Sequence, residues 1–152
     1  MTDLETRIRN LEDHAALKAL VDRFSNLADD KQVHEQTFLF TEDATVQTWF
    51  GDTALPPLNG RAEIEASWTP FLAGFDTVYH MNGQFTAQVD GDTATATHYC
   101  TVELIGGPDG QKTRNSNGVI YHDQYRRVKD EWLITRREAR FTWRDVHPYV
   151  AA

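Results

Sequence analysis

The sequence predicts an α+β fold in which N-terminal helices cover one face of an antiparallel sheet. Apolar residues recur at steps of three and four through the first segment, as in an amphipathic helix. Four long strand-like runs then fill the second half, and the connectors between them are rich in Gly and Asp, which is typical of hairpins. The 152 residues suit a single domain, and they contain no internal repeat or linker.

The first half of the chain is predicted to begin with a long helical segment. Residues 4–28 form one amphipathic helix or two short ones, and in the second case Asp13 would cap the second segment. A short helix is expected around 33–40, followed by a strand over 44–50.

The remaining elements are predicted from turn residues and from alternation. Two glycines and two prolines make 51–60 a loop or an edge strand. Residues 61–75 form a helix that Pro70 is expected to end or kink. The strand-like runs cover 77–89, 93–105, 114–128 and 131–143.

Composition and charge exclude several classes of partner. The chain has 15 basic and 23 acidic residues, a net charge of −8, which argues against affinity for nucleic acid or anionic membranes. No apolar run approaches the roughly 20 residues of a membrane span. The lone Cys100 fits a reducing compartment, and the N-terminus lacks an apolar signal core. A soluble cytoplasmic protein is therefore expected.

Common motifs for cofactor, phosphate and metal binding are absent from the sequence. It contains no glycine-rich dinucleotide or phosphate loop and no nucleophile elbow. Its six histidines lack the spacing of a metal-binding helix, although a three-histidine site assembled across strands stays open. Neither a cofactor nor a metal is expected.

Alternation along the strands separates two histidines of interest. His98 shares a face with Cys100 and should point toward the helices, either as a hydrogen-bonded core residue or as a catalytic one. Strict alternation places His80 with Asn82 on the polar face instead. Gly83, however, marks a position where a bulge would reverse the alternation and turn His80 toward the apolar side.

A catalytic histidine needs a carboxylate that orients it and stabilises its charged form. Asp29 follows the apolar stripe at the end of the first helix and is the candidate partner for His80. Acidic residues are disfavoured at helix C-termini, which suggests another role for Asp29 or Asp30. The alternative is that both aspartates are solvated loop residues.

Several blocks of the chain together carry a family resemblance. They are "LADDKQVHEQTFLFTEDATV", "NGRAEIEASW", "HMNG", "VDGDTATATHY" and the alternating Tyr, Asp, Tyr and Arg within 118–127, followed by Trp132 and Arg137. In this order they resemble the SnoaL-like group of the nuclear transport factor 2-like superfamily over about residues 5–145.

The resemblance implies a cone-shaped roll, in which a curved antiparallel or mixed sheet wraps around N-terminal helices and encloses an apolar pocket. The chain is most similar to the subgroup of scytalone dehydratase, bile acid 7-alpha-dehydratase and hexachlorocyclohexane dehydrochlorinase. Those enzymes pair an aspartate at the end of the first helix with a histidine early in a central strand, and the matching residues are Asp29 and His80. The histidine removes a proton next to the leaving group without a cofactor.

Two departures limit what the resemblance implies about substrates. Phe24 stands where the bile acid dehydratase has a catalytic tyrosine, and Leu104 is the approximate counterpart of a second histidine of scytalone dehydratase. Tyr121 and Tyr125 could be ordinary sheet aromatics, and Arg137 is expected to pair with Asp123 across adjacent strands. The predicted substrate-binding residues are Phe24, Trp49, Asn82, His98, Tyr121, Tyr125 and Arg137.

The expected function is that of a cofactor-independent lyase or isomerase acting on a small hydrophobic, cyclic substrate through Asp29 and His80. Three alternatives stay open, since a fold does not by itself give an activity. The chain could be a non-catalytic binding module, a polyketide-cyclase-like enzyme, or an assembly domain that dimerises through its open sheet face. A homo-oligomer, dimeric or trimeric, is expected.

Overall fold

The computed structural model describes residues 3–150 and places the helices on one face of a single seven-stranded sheet. The sheet is curved, mixed and open, as the predicted α+β roll requires. The elements are α1 (Leu4–Asp29), α2 (Val33–Thr37), β1 (Phe40–Phe50), β2 (Thr53–Ala54), β3 (Leu58–Asn59), α3 (Gly60–Ala73), β4 (Thr77–Asp90), β5 (Thr93–Gly106), β6 (Thr113–Val128) and β7 (Glu131–Pro148).

The strand order in the sheet is β2-β1-β7-β6-β5-β4, and β3 also pairs with β1. Strands β1 and β7 run parallel, and the other pairs are antiparallel.

Helix α1 is continuous, so Asp13 does not cap a second segment. The N-cap is Asp3, whose carboxylate accepts a hydrogen bond from the Thr6 amide at 2.8 Å. Asp13 instead lies buried in mid-helix, where it accepts hydrogen bonds from Arg127 Nη2 at 2.8 Å and Trp132 Nε1 at 3.1 Å. Residues 3–12 are exposed, so α1 packs against the sheet only from Asp13 onward. Within residues 3–150 no helix is long and apolar enough to cross a membrane.

Helix α3 covers the same face of the sheet near β1, whereas α1 covers it near β4. It continues through Pro70 to Ala73, so Pro70 does not end the helix, and the alternative that it kinks the helix stays a prediction. Its Trp68 ring packs edge-on against Phe24 of α1 at 5.7 Å and Phe40 of β1 at 5.8 Å between centroids. These edge-to-face contacts join both helices to the sheet and form the middle of the apolar core.

Bulges in two strands decide which side chains face the helices. In β4, Gly83 and Gln84 lie opposite the single residue Tyr99 of β5, because the register passes from Asn82 opposite Cys100 directly to Phe85 opposite His98. Strict alternation, which placed His80 with Asn82 on the polar face, was therefore wrong, since Tyr79 and Met81 are the exposed residues of this stretch. In β7 the register shifts by one residue at two places, near Thr135 and Thr142.

The Asp13 contacts should contribute measurably to stability. We expect Asp13→Asn to lower the free energy of unfolding by about 2 kcal/mol, because the buried donors of Arg127 and Trp132 lose a charged acceptor. Urea denaturation at pH 7 measures the change. The control is Glu12→Gln, which neutralises the exposed neighbouring acid and should change stability by less than about 0.5 kcal/mol. Equal effects of the two substitutions would contradict the role given to Asp13.

Candidate active site

His80 and Asp29 meet where the end of α1 crosses the edge strand β4. Asp29 Oδ1 lies 2.6 Å from His80 Nδ1, and the two carboxylate oxygens also accept hydrogen bonds from the His80 backbone amide at 3.0 and 3.1 Å. This double contact orients the ring with Nδ1 toward the carboxylate and Nε2 away from it. The His80 side chain is 8% exposed and that of Asp29 is 24% exposed, so the pair is sheltered and still reachable.

The end of α1 has a local structure that presents Asp29 to β4. Lys31 adopts the left-handed conformation at φ 56°, and its amide donates to the Ala28 carbonyl at 3.0 Å. The Gln32 amide donates to the Leu27 carbonyl at 2.8 Å, which completes the C-terminal motif. Asp29 is thus the last helical residue, where the helix dipole disfavours an acid. The hydrogen bonds from His80 offset that penalty.

The bulge in β4 turns His80 toward the helices. His80 pairs with Val102 and Asn82 pairs with Cys100, both of which are buried on the helix-covered face of β5. The bulge that follows Asn82 allows His80 to share this face with Phe85, as predicted for a bend at Gly83. His80 is therefore a residue of the inner face and not of the solvent face.

A polar stripe on α1 extends the contact between the helix and β4. Lys18, Asp22, Ser25 and Asp29 follow each other at steps of four, three and four, which places them on one helix face. The Asn82 side-chain amide donates to Asp22 Oδ1 and to Ser25 Oγ, each at 3.0 Å. Asn82 therefore anchors β4 to the helix, and a further contact of its amide with substrate stays a prediction.

A second polar cluster lies deeper, at the middle of the sheet. Arg137 Nε and Nη2 donate to the two carboxylate oxygens of Asp123 at 2.8 and 2.7 Å, which confirms the predicted pair across β6 and β7. His98 Nε2 lies 3.1 Å from Asp123 Oδ2, and the Tyr125 hydroxyl donates to the same oxygen at 2.8 Å. All four residues are buried, so the cluster is a group of polar side chains inside the apolar core.

Aromatic rings enclose the Arg137 guanidinium. Its central carbon lies 4.0 Å from the ring centroid of Phe24 and 4.5 Å from that of Tyr121. The His98 ring stacks on Tyr121 with centroids 4.7 Å apart and planes at 18°. Five predicted substrate-binding residues are thus brought into one group: Phe24, His98, Tyr121, Tyr125 and Arg137.

The electrostatics of the cluster keep its charges fixed. Burial raises the pKa of Asp123, but the charge and hydrogen bonds of Arg137 outweigh it and leave that pKa well below its usual range. Burial lowers the pKa of His98, helped by the charge of Arg137 and opposed by Asp123. Burial also raises the pKa of Tyr121, so its phenol keeps its proton and can donate a hydrogen bond. At neutral pH this cluster thus holds the ion pair of Arg137 and Asp123 and a neutral imidazole.

Trp49 lies on the outer face and does not join the group. It pairs with Arg140 of β7, whose guanidinium carbon lies 4.9 Å from its ring. Arg140 bonds Glu138, which lines a polar concavity of about 580 Å³ on the face of the sheet opposite the helices. The predicted role of Trp49 in the interior was therefore wrong, because its side chain projects from the other side of β1. The apolar pocket that the resemblance implies stays a prediction.

The sequence did not single out Asp22 and Ser25, although a signal was present. Polar residues at the helical spacing of Lys18, Asp22, Ser25 and Asp29 interrupt an otherwise apolar segment, which indicates a polar contact along one helix face. The open three-histidine alternative finds no counterpart, since no group of three or more His, Cys, Asp or Glu side chains within residues 3–150 is arranged to hold a metal ion.

Comparison with known proteins places this geometry in a family. Residues 9–138 match the SnoaL-like domain. The uncharacterized protein Rv2910c of Mycobacterium tuberculosis is 29% identical over 131 residues, which are 86% of each chain.

Solved structures share the fold. A nuclear transport factor 2-like protein with a cystatin-like fold from Novosphingobium aromaticivorans is 28% identical, with a TM-score of 0.75 over 93% of this chain and 91% of that one. A protein of the same organism, provisionally named a scytalone dehydratase, is 19% identical with a TM-score of 0.75 over 94% of this chain and 91% of that one. Kfla4162 from Kribbella flavida is 18% identical with a TM-score of 0.79 over 90% and 95%.

The lowered pKa of His98 predicts a dependence of stability on pH. The unfolded chain takes up a proton on this histidine near its ordinary pKa of 6.5, whereas the folded chain resists it, so stability is complete above that pH and falls as the pH drops. Between pH 7.5 and 5.5 we expect the free energy of unfolding to fall by about 1 kcal/mol from this group. Asp123 adds a further loss below about pH 4.

Urea denaturation across this range checks the assignment. His98→Gln should flatten the slope of stability against pH between 7.5 and 5.5, whatever its effect on stability at pH 7.5. His14→Gln, which changes an exposed histidine of α1, should leave the slope unchanged. A slope that survives in the His98 variant would assign the dependence to another group.

Proposed function

The chain belongs to the SnoaL-like family, and on that premise we propose that it is a cofactor-independent lyase or isomerase acting on a small hydrophobic, cyclic molecule. His80 is the general base and Asp29 its orienting carboxylate. The observation that carries the proposal is the double contact of Asp29, which bonds both the ring and the backbone amide of His80. A structural histidine on an edge strand needs no such arrangement, whereas a base needs a fixed ring with one free nitrogen.

The geometry supports one assignment of protons on the dyad. Because Nδ1 lies 2.6 Å from a carboxylate oxygen, its proton donates to Asp29 and Nε2 carries the lone pair. No hydrogen bond within residues 3–150 occupies Nε2, so it can accept a proton from a substrate. The carboxylate then stabilises the imidazolium, and this kind of base catalysis contributes on the order of 10²–10⁴ in rate.

The proposed reaction balances without a co-reactant. His80 Nε2 takes a proton from a carbon of the substrate, and the electrons of that C–H bond form a C=C bond. In a lyase reaction the adjacent group leaves with its bonding electrons and receives the proton from the imidazolium. In an isomerase reaction the π electrons of an adjacent carbonyl group move onto its oxygen as the C=C bond forms, and they return when the imidazolium gives the proton to another carbon. Tyr121 is the candidate hydrogen-bond donor to the substrate oxygen, since its phenol stays protonated.

Variants of the dyad test the proposal. A screen of steroid, polyketide and aromatic metabolites for thermal stabilisation supplies ligands, and mass spectrometry detects loss of water or a rearranged product. We expect His80→Ala to lower turnover about 10²–10⁴-fold and Asp29→Asn to lower it about 10²-fold, with ligand affinity largely kept. His122→Gln, a histidine of the outer face, is the matched control and should be fully active. Ligands that bind without any turnover by the unmodified protein would make the chain a binding module instead.

We also propose that the protein self-associates through the outer face of the sheet. Met81, Thr101, Gly118 and Trp143 lie in one cross-strand row, with the Trp143 indole over Gly118. Met81 is 60% and Trp143 50% exposed, and the exposed Tyr79 and Tyr99 flank the row. Contiguous apolar patches of this kind are uncommon on monomers.

The charges around this outer aromatic row fit a second copy of the chain. The ion pairs Glu103–Arg114 and Glu138–Arg140 border it and carry both signs, so two copies can face each other without local repulsion despite the net charge of −8. We expect Met81→Lys to shift the protein toward monomer in light scattering, whereas Gln88→Lys, on the polar part of the same face, should not. A monomeric unmodified protein at tens of micromolar would refute the proposal.

A further inference from the structure

Two polar atoms of the buried cluster have no hydrogen-bond partner within residues 3–150. They are His98 Nδ1 and Arg137 Nη1, on side chains that belong to residues only 1% exposed. The neighbouring atoms are engaged, since Arg137 Nε and Nη2 and the Tyr125 hydroxyl all donate to Asp123. Buried polar atoms are rarely left open, because each loses its hydration without replacement. The open atoms therefore indicate a guest that supplies the missing partners.

The His98 atom is an acceptor. Asp123 is a carboxylate, and its Oδ2 lies 3.1 Å from His98 Nε2, so Nε2 must carry the proton that points at it. The neutral ring then has a lone pair on Nδ1. A group that binds there must donate a hydrogen bond.

The Arg137 atom is a donor whose charge is already balanced. Nη1 carries N–H groups that can donate to an oxygen, and Nη2 of the same guanidinium lies 3.4 Å from the His98 ring. Asp123 neutralises the guanidinium through two hydrogen bonds, so a second anion gains little charge attraction. The lone pair of His98 Nδ1 would also repel a carboxylate or phosphate. The two side chains that carry this acceptor and this donor approach each other to 3.4 Å through Nε2 and Nη2, and an acceptor with a donor matches a neutral hydroxyl group, which both donates and accepts.

The surroundings favour a ring on that hydroxyl group. Phe24 and Tyr121 contact the guanidinium with their faces, and Trp68 packs edge-on against Phe24. These rings surround the open polar atoms with apolar and aromatic groups, and a few polar atoms among such groups are typical of sites for aromatic or cyclic ligands.

We propose that His98 Nδ1 and Arg137 Nη1 bind a neutral hydroxyl group of the ligand, so that His98 selects cyclic alcohols and phenols over their ethers and over carboxylates. This specificity rests on the proposed function only in that the same interior receives the substrate. His98 acts as a binding residue and takes no part in the proton transfer at His80.

A matched ligand series tests the proposal by calorimetry at pH 7.5. The probes are 4-butylphenol, its methyl ether, which keeps the oxygen acceptor and loses the O–H donor, and 4-butylbenzoate, which is anionic. In the unmodified protein we expect the phenol to bind about tenfold more tightly than the ether, as one hydrogen bond to a buried acceptor provides, and the benzoate to bind more weakly than the phenol.

The variant His98→Gln tests the contribution of His98 Nδ1, the ring nitrogen that has no partner within residues 3–150. The glutamine amide can still donate to Asp123 from the position of Nε2 but places no acceptor at the position of Nδ1. We expect the preference for phenol over ether to fall below twofold, while any steric penalty of the methyl group persists in both proteins. Equal affinities for phenol and ether in the unmodified protein, tightest binding of the benzoate, or no saturable binding of the phenol would each overturn the proposal. All three of these outcomes are measured on the unmodified protein, so the test does not depend on whether the His98→Gln variant folds.

His80→Ala separates this inference from the proposed function. The phenol preference should survive in that variant, because the open atoms of His98 and Arg137 are untouched. An intact preference without turnover in any form of the protein would refute the proposed reaction alone. Turnover by a protein that binds the phenol and its methyl ether equally well would refute only the proposed hydroxyl-binding role of His98.

Discussion

The ion pair of Arg137 and Asp123 lies in the interior of the domain, and the arrangement around it depends on keeping both partners together. A buried charge that loses its partner costs on the order of 3–5 kcal/mol, which is a large part of the stability of a small domain. The two residues lie on neighbouring strands, opposite each other, so the pair couples the register of β6 and β7. The register shift near Thr135 is what turns Arg137 inward, on the same side as Ile134. Without it the guanidinium would face solvent, and Asp123 would remain buried alone.

The edge strand is positioned by a different set of contacts. Helix α1 presents a polar stripe whose last residue, Asp29, holds the backbone and the ring of His80, and whose middle residues hold Asn82. An edge strand has backbone groups without strand partners, and here a carboxylate from a helix takes one of them. The molecule thus has a buried ion pair in the middle of the sheet and a row of polar contacts between α1 and the edge strand β4. His80 at the edge is sheltered and still reachable, whereas the Arg137 and Asp123 side chains are almost fully buried.

Much of this could be predicted from residue patterns, and the exceptions share one cause. The long helix, the four long strands and the pairing of Arg137 with Asp123 followed from spacing and charge. The inward direction of His80 did not follow from alternation alone, since a bulge of one residue moves every later side chain to the other face. Gly83 indicated the bulge in β4, but no glycine or other typical residue indicates the two bulges in β7. Trp49 was misplaced for a similar reason, because a short apolar strand does not reveal which of its faces meets the core.

The charges of the interior constrain the proposed chemistry further. Arg137 and Asp123 neutralise each other, and among residues 3–150 no lysine or arginine forms a salt bridge with Asp29. When His80 takes a proton from a neutral substrate, the imidazolium and Asp29 become a neutral pair, and the negative charge moves onto the substrate. In the proposed reaction, donors such as the Tyr121 phenol stabilise that charge, because Asp123 already neutralises the charge of the guanidinium. A neutral, hydroxylated substrate is consistent with both centres, since it adds no charge to the interior before the proton moves.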